Sequence, residues 1–370
     1  MIPQAPLWLI LLAFVGIIAV LVFFHELGHY LVARLFGIPA ETFSIGFGHE
    51  LIGWTDKQGT RWKVAWLPLG GYVKFVGDMT PASNPVDVES IPEHLRHHAF
   101  QLRPVWQRFF VVLAGPLANF LLAILIFTAV FSFVSAPETN KIGRVEPEKA
   151  AAKAGFQPGD RFLFVAGKPT PSFEEVRSIV EKRPNQVVPI EFEREGLKRR
   201  LNVRIGTDEL RDETGKKVTI GLLGVAPAPV SIFRAIPLAT IQTVRITGWV
   251  VEGVARLIVG EGSRKDVGGP IKIAQFAGQA ASLGALPFVQ LLALLSINLG
   301  FINLLPVPLM DGGHLFFYGV EAIRRRPLSE RALEWAFRGG LAVILALVVF
   351  TTINDLGSIG LWDRLQRLIG

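Results

Sequence analysis

The chain has 370 residues, half of them hydrophobic, a formal net charge of +7 and no cysteine. This composition is too apolar for an ordinary soluble enzyme, but it contains too many polar residues for a simple bundle of membrane spans. The length leaves room for a few membrane spans and one soluble module. Disulfides and thiolate metal sites are excluded, and any metal must be bound by histidine and carboxylate side chains. Many of the basic residues flank apolar segments, so we interpret the positive charge as membrane topology and expect no nucleic acid partner.

Three segments are long and apolar enough to cross a bilayer, which takes about 20 residues each. They are 7–36, 109–134 and 339–352 with its flanking residues. A fourth, 286–310, is interrupted by prolines and asparagines, which is typical of a span that lines a cavity, because lipid would leave its freed backbone groups unpaired. We therefore predict a polytopic α-helical membrane protein with about four transmembrane helices. Asn119 in the second span is expected to bond a neighbouring helix.

The basic residues predict the orientation of these spans. They are concentrated between the first two spans and between the last two, and none precedes Leu7. By the positive-inside rule these two loops lie in the cytoplasm, so both termini and the long segment from Pro137 lie on the outer face.

Residues 41–76 of the first membrane half (1–136) are punctuated by glycine and rich in β-branched and aromatic side chains. This pattern predicts short strands and hairpins. They are unusually apolar for a cytoplasmic loop, so we expect a sheet that dips into the membrane beside the first span.

Residues 137–228 have the pattern of an inserted soluble α+β module. Ser172 stands three residues before Glu175, which is the spacing of a helix capping box. A Glu-Gly turn at 195–196 predicts a hairpin. The predicted strands are 142–145, 161–165, 187–194 and 198–205, and the predicted helices are 149–154 and 172–181.

Residues 229–285 are apolar but interrupted by charges. Arg245, Glu252 and Arg256 are spaced seven and four apart and therefore share one helical face. We expect amphipathic helices that lie in the membrane interface rather than a further span. The second membrane half, 286–370, then holds the interrupted span and the last one.

His25, Glu26 and His29 form a two-histidine motif at the end of the first span. The histidines are four residues apart, so both imidazoles project from one helical face and can bind a single ion. Glu26 is placed to take a proton from a water molecule that the ion activates. One ionisable residue in a membrane helix costs about 2.5 kcal/mol or more, so three together require a compensating function. The alternative is a hydrated, structural cluster at the cytoplasmic end of the span.

A catalytic zinc site needs a third protein ligand. Leu35 occupies the position where one class of soluble metalloproteases has a third histidine. Glu41 and Glu50 are alternatives that fall in the loop. Asp311 is the better candidate, because it ends the interrupted span and the following glycines permit close approach. A simple Asp-Gly turn is the other interpretation.

These motifs resemble the site-2 protease family of zinc metalloproteases (peptidase M50-like), and most closely its bacterial regulator-of-sigma-E protease type. The resemblance rests on His25-Glu26-Leu27-Gly28-His29, the run Asn303-x-x-Pro306-x-Pro308-x-x-Asp311-Gly312, Gly46-Phe47-Gly48, Gly70-Gly71-Tyr72-Val73-Lys74, Gly115-Pro116-Leu117-Ala118-Asn119 and Gly268-Gly269-Pro270-Ile271. Met310 stands where the family usually has leucine, which affects no catalytic residue.

The resemblance implies roles for particular side chains. One Zn²⁺ ion would be bound by His25, His29 and Asp311, with Glu26 as the general base. Asn303 would contact the substrate or help to shape the site.

The soluble module resembles a single PDZ domain of the bacterial protease type, with Ala-Gly-Phe-x-Pro-Gly-Asp at residues 154–160 as its most recognisable run. The resemblance places Gly143, Arg144 and Val145 near the peptide-binding loop. Such a domain binds peptide C-termini by strand addition or limits the bulk of substrates. A packing module without a ligand is the alternative.

The expected function is intramembrane proteolysis in the bacterial inner membrane. The resemblance implies single-pass membrane protein substrates, either anti-sigma factors or remnant signal peptides, in regulated intramembrane proteolysis. The active site would lie toward the cytoplasmic side, and the PDZ domain and both termini in the periplasm. An exposed strand edge from Phe43 to Phe47, with Gly46 and Gly48, would bind the unwound substrate through main-chain hydrogen bonds. An inactive PDZ membrane scaffold and an ion-coupled transporter are the competing functions.

Overall fold

The computed structural model describes residues 5–77, 93–211, 217–261 and 268–358. The chain divides into two compact units, one of residues 1–123 with 243–370 and one of residues 124–242. The helices are α1 (Leu7–Leu35), α2 (Glu93–Arg96), α3 (Val105–Phe133), α4 (Ala150–Ala154), α5 (Phe173–Glu181), α6 (Ile232–Val259), α7 (Pro270–Leu283), α8 (Ala285–Leu304), α9 (Asp311–Arg324) and α10 (Glu330–Ser358). The strands are β1 (Ala40–Thr55), β2 (Arg61–Phe75), β3 (Ile142–Val145), β4 (Arg161–Val165), β5 (Lys168–Pro169), β6 (Val187–Arg194), β7 (Leu197–Arg204), β8 (Gly206–Arg211), β9 (Lys217–Leu222) and β10 (Val225–Pro227).

Four helices in the described ranges are long and apolar enough to cross a membrane, which confirms the predicted number of spans. They cover Leu7–Leu35, Val105–Phe133, Ala285–Leu304 and Arg331–Gly357. The predicted interruption is also confirmed, since α8 ends at Leu304 and a non-helical stretch containing Pro306 and Pro308 precedes α9. Proline has no N–H to donate and disfavours helical geometry in the residue before it, so the helix cannot continue through this stretch.

The two segments after the soluble module are both helical. The 28-residue α6 is not among the four apolar helices, and its position in the membrane interface stays a prediction. The shorter α7 packs on α1, where a side chain at Gly278 would collide with Ile10. The buried carboxylate of Asp355 on α10 accepts three backbone N–H bonds at the start of α7, from Gly269, Ile271 and Lys272, each 3.0 Å long.

The sheet of the first unit consists of two long strands instead of the predicted short ones. Residues 42–45 of β1 lie between residues 61–64 and residues 71–74 of β2. The predicted strand edge from Phe43 to Phe47 is therefore wrong over its first half, because Phe43 lies opposite both Trp62 and Val73 and is 1% exposed. The positive φ angles of Gly46 and Gly48, 90° and 88°, bend β1, so its outer half pairs separately with residues 61–65.

The outer half of this hairpin exposes large apolar side chains. Leu51, Ile52, Trp54 and Trp66 are each more than half exposed. A concentration of exposed apolar side chains in one short segment is typical of a contact with lipid or another protein. It is the surface that a membrane-dipping sheet requires.

The second unit contains a four-stranded sheet in the order β5-β4-β6-β7 and two pairs of strands, β10-β3 and β8-β9. Phe162, Val165, Ile190 and Phe192 are fully buried in its core beside α5. The helix α5 begins with the predicted capping box at Ser172 and Glu175. The strands β5, β8, β9 and β10 were not predicted.

Candidate metal centre

Three side chains that are distant in the sequence converge on one point. The Nε2 atoms of His25 and His29 are 3.2 Å apart, and Oδ2 of Asp311 lies 3.1 Å and 3.6 Å from them. Ligand atoms about 2.0 to 2.1 Å from a tetrahedral zinc ion are about 3.3 Å from one another. The triangle therefore has the dimensions of three ligand positions around one ion, which supports the predicted set of ligands.

The chemistry of the three atoms also fits a cation. Nδ1 of His29 is hydrogen-bonded to the carbonyl oxygen of Val111 at 2.9 Å, which leaves Nε2 of the neutral ring as a lone pair. Oδ2 of Asp311 is buried without a hydrogen-bond donor. Lone pairs and a carboxylate oxygen that face one buried point repel one another unless a positive charge lies between them. A metal ion satisfies all three.

Glycines allow the backbone to bring Asp311 to the histidines. Asp311 is the first residue of α9, and the non-helical stretch before it folds back over the start of that helix. Side chains at Gly312 and Gly313 would collide with the backbone of Leu305 and Val307. Glycine is therefore required at both positions. This steric requirement explains the Asp-Gly-Gly run better than the alternative interpretation as a simple Asp-Gly turn.

The helix α3 packs against the histidines through small and polar residues. A side chain at Gly115 would collide with the ring of His29, so glycine leaves the space which that ring occupies. The side-chain amide of Asn119 is hydrogen-bonded to Nδ1 of His25 at 3.1 Å. The sequence alone predicted a helix–helix contact for Asn119 and did not indicate its contact with His25.

A cavity of about 400 Å³ adjoins the three ligands. Three residues line it that the sequence predicted as a base and two substrate contacts, namely Glu26, Asn303 and Phe47. Gly46 and Gly48 do not line the cavity but flank Phe47, whose ring stacks on Tyr72 with centroids 6.1 Å apart.

The second half of β2 forms one wall of the cavity. Gly70, Gly71, Tyr72 and Val73 line it. A side chain at Gly71 would collide with Val22 and lie 3.5 Å from Cγ of Glu26. Residues 71–74 pair with β1 on one side. The strand edge next to Glu26 is therefore on β2, and not at the Phe43 to Phe47 position that the sequence suggested.

His314 lines the same cavity three residues after Asp311 and was not predicted from the sequence. The i, i+3 spacing from Asp311 on α9 was the feature of the sequence that could have indicated it.

The helix α9 is held by an ion pair of 2.7 Å between Arg108 on α3 and Glu321, both largely buried. Arg108 also lies over the ring of Tyr318, 4.8 Å from its centroid.

The hairpin between β1 and β2 is attached to α1 through Asp56. Its carboxylate accepts hydrogen bonds from Trp62 Nε1 at 2.9 Å and from the Tyr30 hydroxyl at 3.3 Å. Burial raises the pKa of Asp56, but the donors from Trp62, Tyr30 and the backbone of the turn outweigh it, so the pKa lies below its usual range. The carboxylate thus stays ionised and holds the sheet beside the helix that carries the histidines.

The residues predicted for peptide binding lie in the other unit. Gly143, Arg144 and Val145 form most of β3, which pairs with β10. A side chain at Gly143 would collide with the backbone of Pro227 and Ala228. Arg144 is exposed.

Comparison with known proteins supports the chemistry of the site. The family model described as peptidase family M50 matches residues 13–347. A Mesorhizobium japonicum protein, provisionally named a zinc metalloprotease, is 42% identical over 365 residues, covering 94% of this chain and 98% of that protein. An Agrobacterium fabrum protein with the same provisional name is 43% identical and covers 94% and 95%. Metalloprotease MmpA of Caulobacter vibrioides is 37% identical over 380 residues and covers 94% and 95%.

Proposed function

Because the chain belongs to peptidase family M50, we propose that it is an intramembrane zinc metalloprotease that hydrolyses peptide bonds within or near the transmembrane segments of single-pass membrane proteins. The observation that carries the proposal is the convergence of His25, His29 and Asp311 beside Glu26 in a chain with four apolar helices. Its relatives bear metalloprotease names.

Four residues would carry out the chemistry. A zinc ion bound by His25, His29 and Asp311 would supply a Lewis acid that polarises the scissile carbonyl and makes water a better nucleophile near neutral pH. Glu26 lines the same cavity and would take the proton from the attacking water and pass it to the leaving amine.

Substrate would bind along the β2 edge of the cavity. A transmembrane helix protects its own peptide bonds, so the scissile segment must be extended before hydrolysis. The main-chain groups of Gly71 would pair with that extended segment by strand addition, next to Val73, whose backbone is hydrogen-bonded to Glu26. Phe47 and Tyr72 would contact its side chains, and the Asn303 amide would orient the scissile peptide.

The position in the membrane belongs to the same proposal. The positive-inside rule favours a bacterial inner membrane protein with both termini in the periplasm and the metal centre toward the cytoplasmic side. The apolar outer half of the β1–β2 hairpin supports insertion of the sheet into the bilayer. The lipid bilayer is then a permanent partner of the protein.

The second unit is proposed to be a periplasmic PDZ domain that binds peptide C-termini near Gly143, Arg144 and Val145 or limits substrate bulk. Its compact apolar core and capped α5 support an independent module. Anti-sigma factors and remnant signal peptides are the substrate classes proposed for regulated intramembrane proteolysis.

The competing functions make different use of the same residues. An inactive scaffold has no need for three metal ligands buried next to a carboxylate. An ion-coupled transporter would depend on an ion gradient, whereas proteolysis continues in detergent. The ligand triangle of 3.1 to 3.6 Å favours the enzyme.

The test is Glu26→Gln in the purified full chain, assayed with a single-pass membrane substrate. We expect zinc content to stay at one ion per chain and cleavage to fall by about 10² to 10⁴-fold, which is the usual contribution of a general base. Glu41→Gln is the matched control, because Glu41 is paired with Lys74 on the sheet at 2.6 Å and does not line the cavity. Cleavage at the wild-type rate by Glu26→Gln would refute the proposal. Single-pass fragments that accumulate in membranes with this variant would identify the substrates.

A further inference from the structure

Asn119 is a polar residue with no exposed surface on α3, and its side chain touches a proposed metal ligand. The amide lies 3.1 Å from Nδ1 of His25. With the amide nitrogen toward His25, the amide oxygen Oδ1 is buried without any donor. A buried carbonyl oxygen without a partner costs about 1 to 3 kcal/mol, so this orientation leaves the amide half satisfied.

The position of His25 determines which hydrogen its ring carries. Its Nε2 faces Nε2 of His29 and Oδ2 of Asp311, so Nε2 is the atom that offers a lone pair to the metal. A neutral imidazole that binds metal through Nε2 carries its hydrogen on Nδ1. Nδ1–H is a donor and needs an acceptor.

The amide of asparagine offers that acceptor when it is reversed. The oxygen and nitrogen of an amide have nearly the same shape, so the hydrogen-bond network decides the orientation. The reversed amide places Oδ1 on Nδ1–H of His25. We propose that Asn119 is a positioning residue of the metal centre, whose Oδ1 accepts the His25 Nδ1 hydrogen and keeps Nε2 directed at the metal. The inference rests on the proposed zinc site and extends it to a residue outside the ligand set.

The same face of α3 also provides a hydrogen-bond acceptor for the ring of the second histidine, His29. Nδ1 of His29 is bonded to the carbonyl oxygen of Val111. Val111, Gly115 and Asn119 are four residues apart, so they lie on one helical face. That face provides an acceptor for each ring and, at Gly115, the space for the ring of His29. The four-residue spacing of Gly115 and Asn119 thus matches that of the two histidines.

A second contact of Asn119 supplies a control. The hydroxyl of Ser296 on α8 donates to the main-chain oxygen of Asn119 at 2.7 Å. Ser296→Ala removes this helix–helix bond without touching the amide. It therefore separates the role predicted from the sequence, packing between helices, from the positioning of His25.

The experiment measures zinc affinity of the full chain in detergent by competition with a chelating dye. All variants carry Glu26→Gln, so catalysis does not enter the result. We expect Asn119→Leu, of similar size, to weaken zinc binding by about 10 to 100-fold, the usual effect of losing such a partner. Asn119→Asp keeps an acceptor and loses the donors, and should bind zinc within about threefold of the parent, as carboxylate–histidine–zinc groups do. Ser296→Ala should bind as the parent does.

Two results would overturn the inference. One is parental zinc affinity in Asn119→Leu, and the other is a tenfold or greater loss in Asn119→Asp, which would show that the amide acts as a donor. If Asn119→Leu does not fold, the Asn119→Asp comparison decides alone. Failure of the underlying zinc site looks different, because the parent itself would then bind no zinc, or His25→Ala would bind it unchanged.

Discussion

Both compact units bury apolar side chains, but they differ in the polar groups that they enclose and in the apolar surface that they expose. The core of the second unit is apolar, with Phe162 and Phe192 fully enclosed. The first unit encloses His25, Asn119 and Asp355 and leaves large apolar side chains exposed along its helices. A unit surrounded by water is stabilised by removing apolar surface from it, whereas lipid is as apolar as leucine and provides no such drive.

The difference shows which contacts determine the fold of each unit. In the second unit the shape of apolar side chains determines the fold. In the first unit polar contacts fix the position of some helices in addition to apolar packing, such as Asp355 with the start of α7 and Arg108 with α9. The candidate metal centre lies in the first unit, so a bound metal is expected to stabilise that unit alone.

Removal of zinc tests this expectation most directly. We expect a chelator to abolish cleavage and zinc to restore it. A ligand at about 1,000 times its dissociation constant stabilises the folded state by about 4 kcal/mol, so the chelator should lower the stability of the first unit. Hydrogen exchange resolved by peptide measures both units in one sample. Equal loss of protection in α1 and in β6 would break the comparison.

Two substitutions of large apolar side chains by alanine test how much apolar packing contributes to each unit. We expect Phe162→Ala to cost the second unit about 3 to 5 kcal/mol, because it leaves a cavity in a packed core. Leu121→Ala removes a side chain of α3 that is 56% exposed and should change stability by no more than about 0.5 kcal/mol. Denaturant unfolding in detergent, followed by exchange in each unit, gives both values. A loss at Leu121 as large as that at Phe162 would show that the α3 surface is packed against protein.

The features that the sequence predicted correctly are local. Four apolar stretches, the prolines after α8 and the spacing of Ser172 and Glu175 each depend on neighbouring residues. The pairing of residues 42–45 with both halves of β2 does not, because it depends on how two bends fold distant segments together. The strand edge was therefore expected on β1, although β2 provides it.

The residues of the candidate site also divide into those that local sequence predicts and those that depend on distant contacts. His25 and His29 were predictable from their spacing on one helix, and Asp311 from chemistry and resemblance. The contact of Asn119 with His25 joins residues 94 positions apart, and no periodicity reports it. Nothing in the sequence indicated a reason for a glycine at position 115, because only the nearby ring of His29 explains why a side chain is excluded there.

Asp355 offers a smaller test within the first unit. Asp355→Ala removes the acceptor of three N–H groups at the start of α7. We expect the amides of Gly269, Ile271 and Lys272 to exchange about 10 to 100-fold faster, which corresponds to about 1.4 to 2.8 kcal/mol. Thr351→Val is the control, since its hydroxyl bonds only within α10, to Val348. Unchanged exchange in Asp355→Ala would mean that packing alone fixes α7.

The smallest effect is expected from a polar group in the second unit, where the comparison assigns polar contacts a minor role. Ser172→Ala removes the N-cap of α5, whose hydroxyl accepts from the N–H of Glu174 and contacts the Glu175 carboxylate. Loss of an N-cap costs about 1 kcal/mol, which is well below the cost of Phe162→Ala. Ser178→Ala on the same helix is the matched control, because its exposed hydroxyl bonds only a carbonyl of its own turn. If Ser172→Ala costs as much as Phe162→Ala, polar contacts specify the second unit as they do the first, and the two units do not differ in the way proposed.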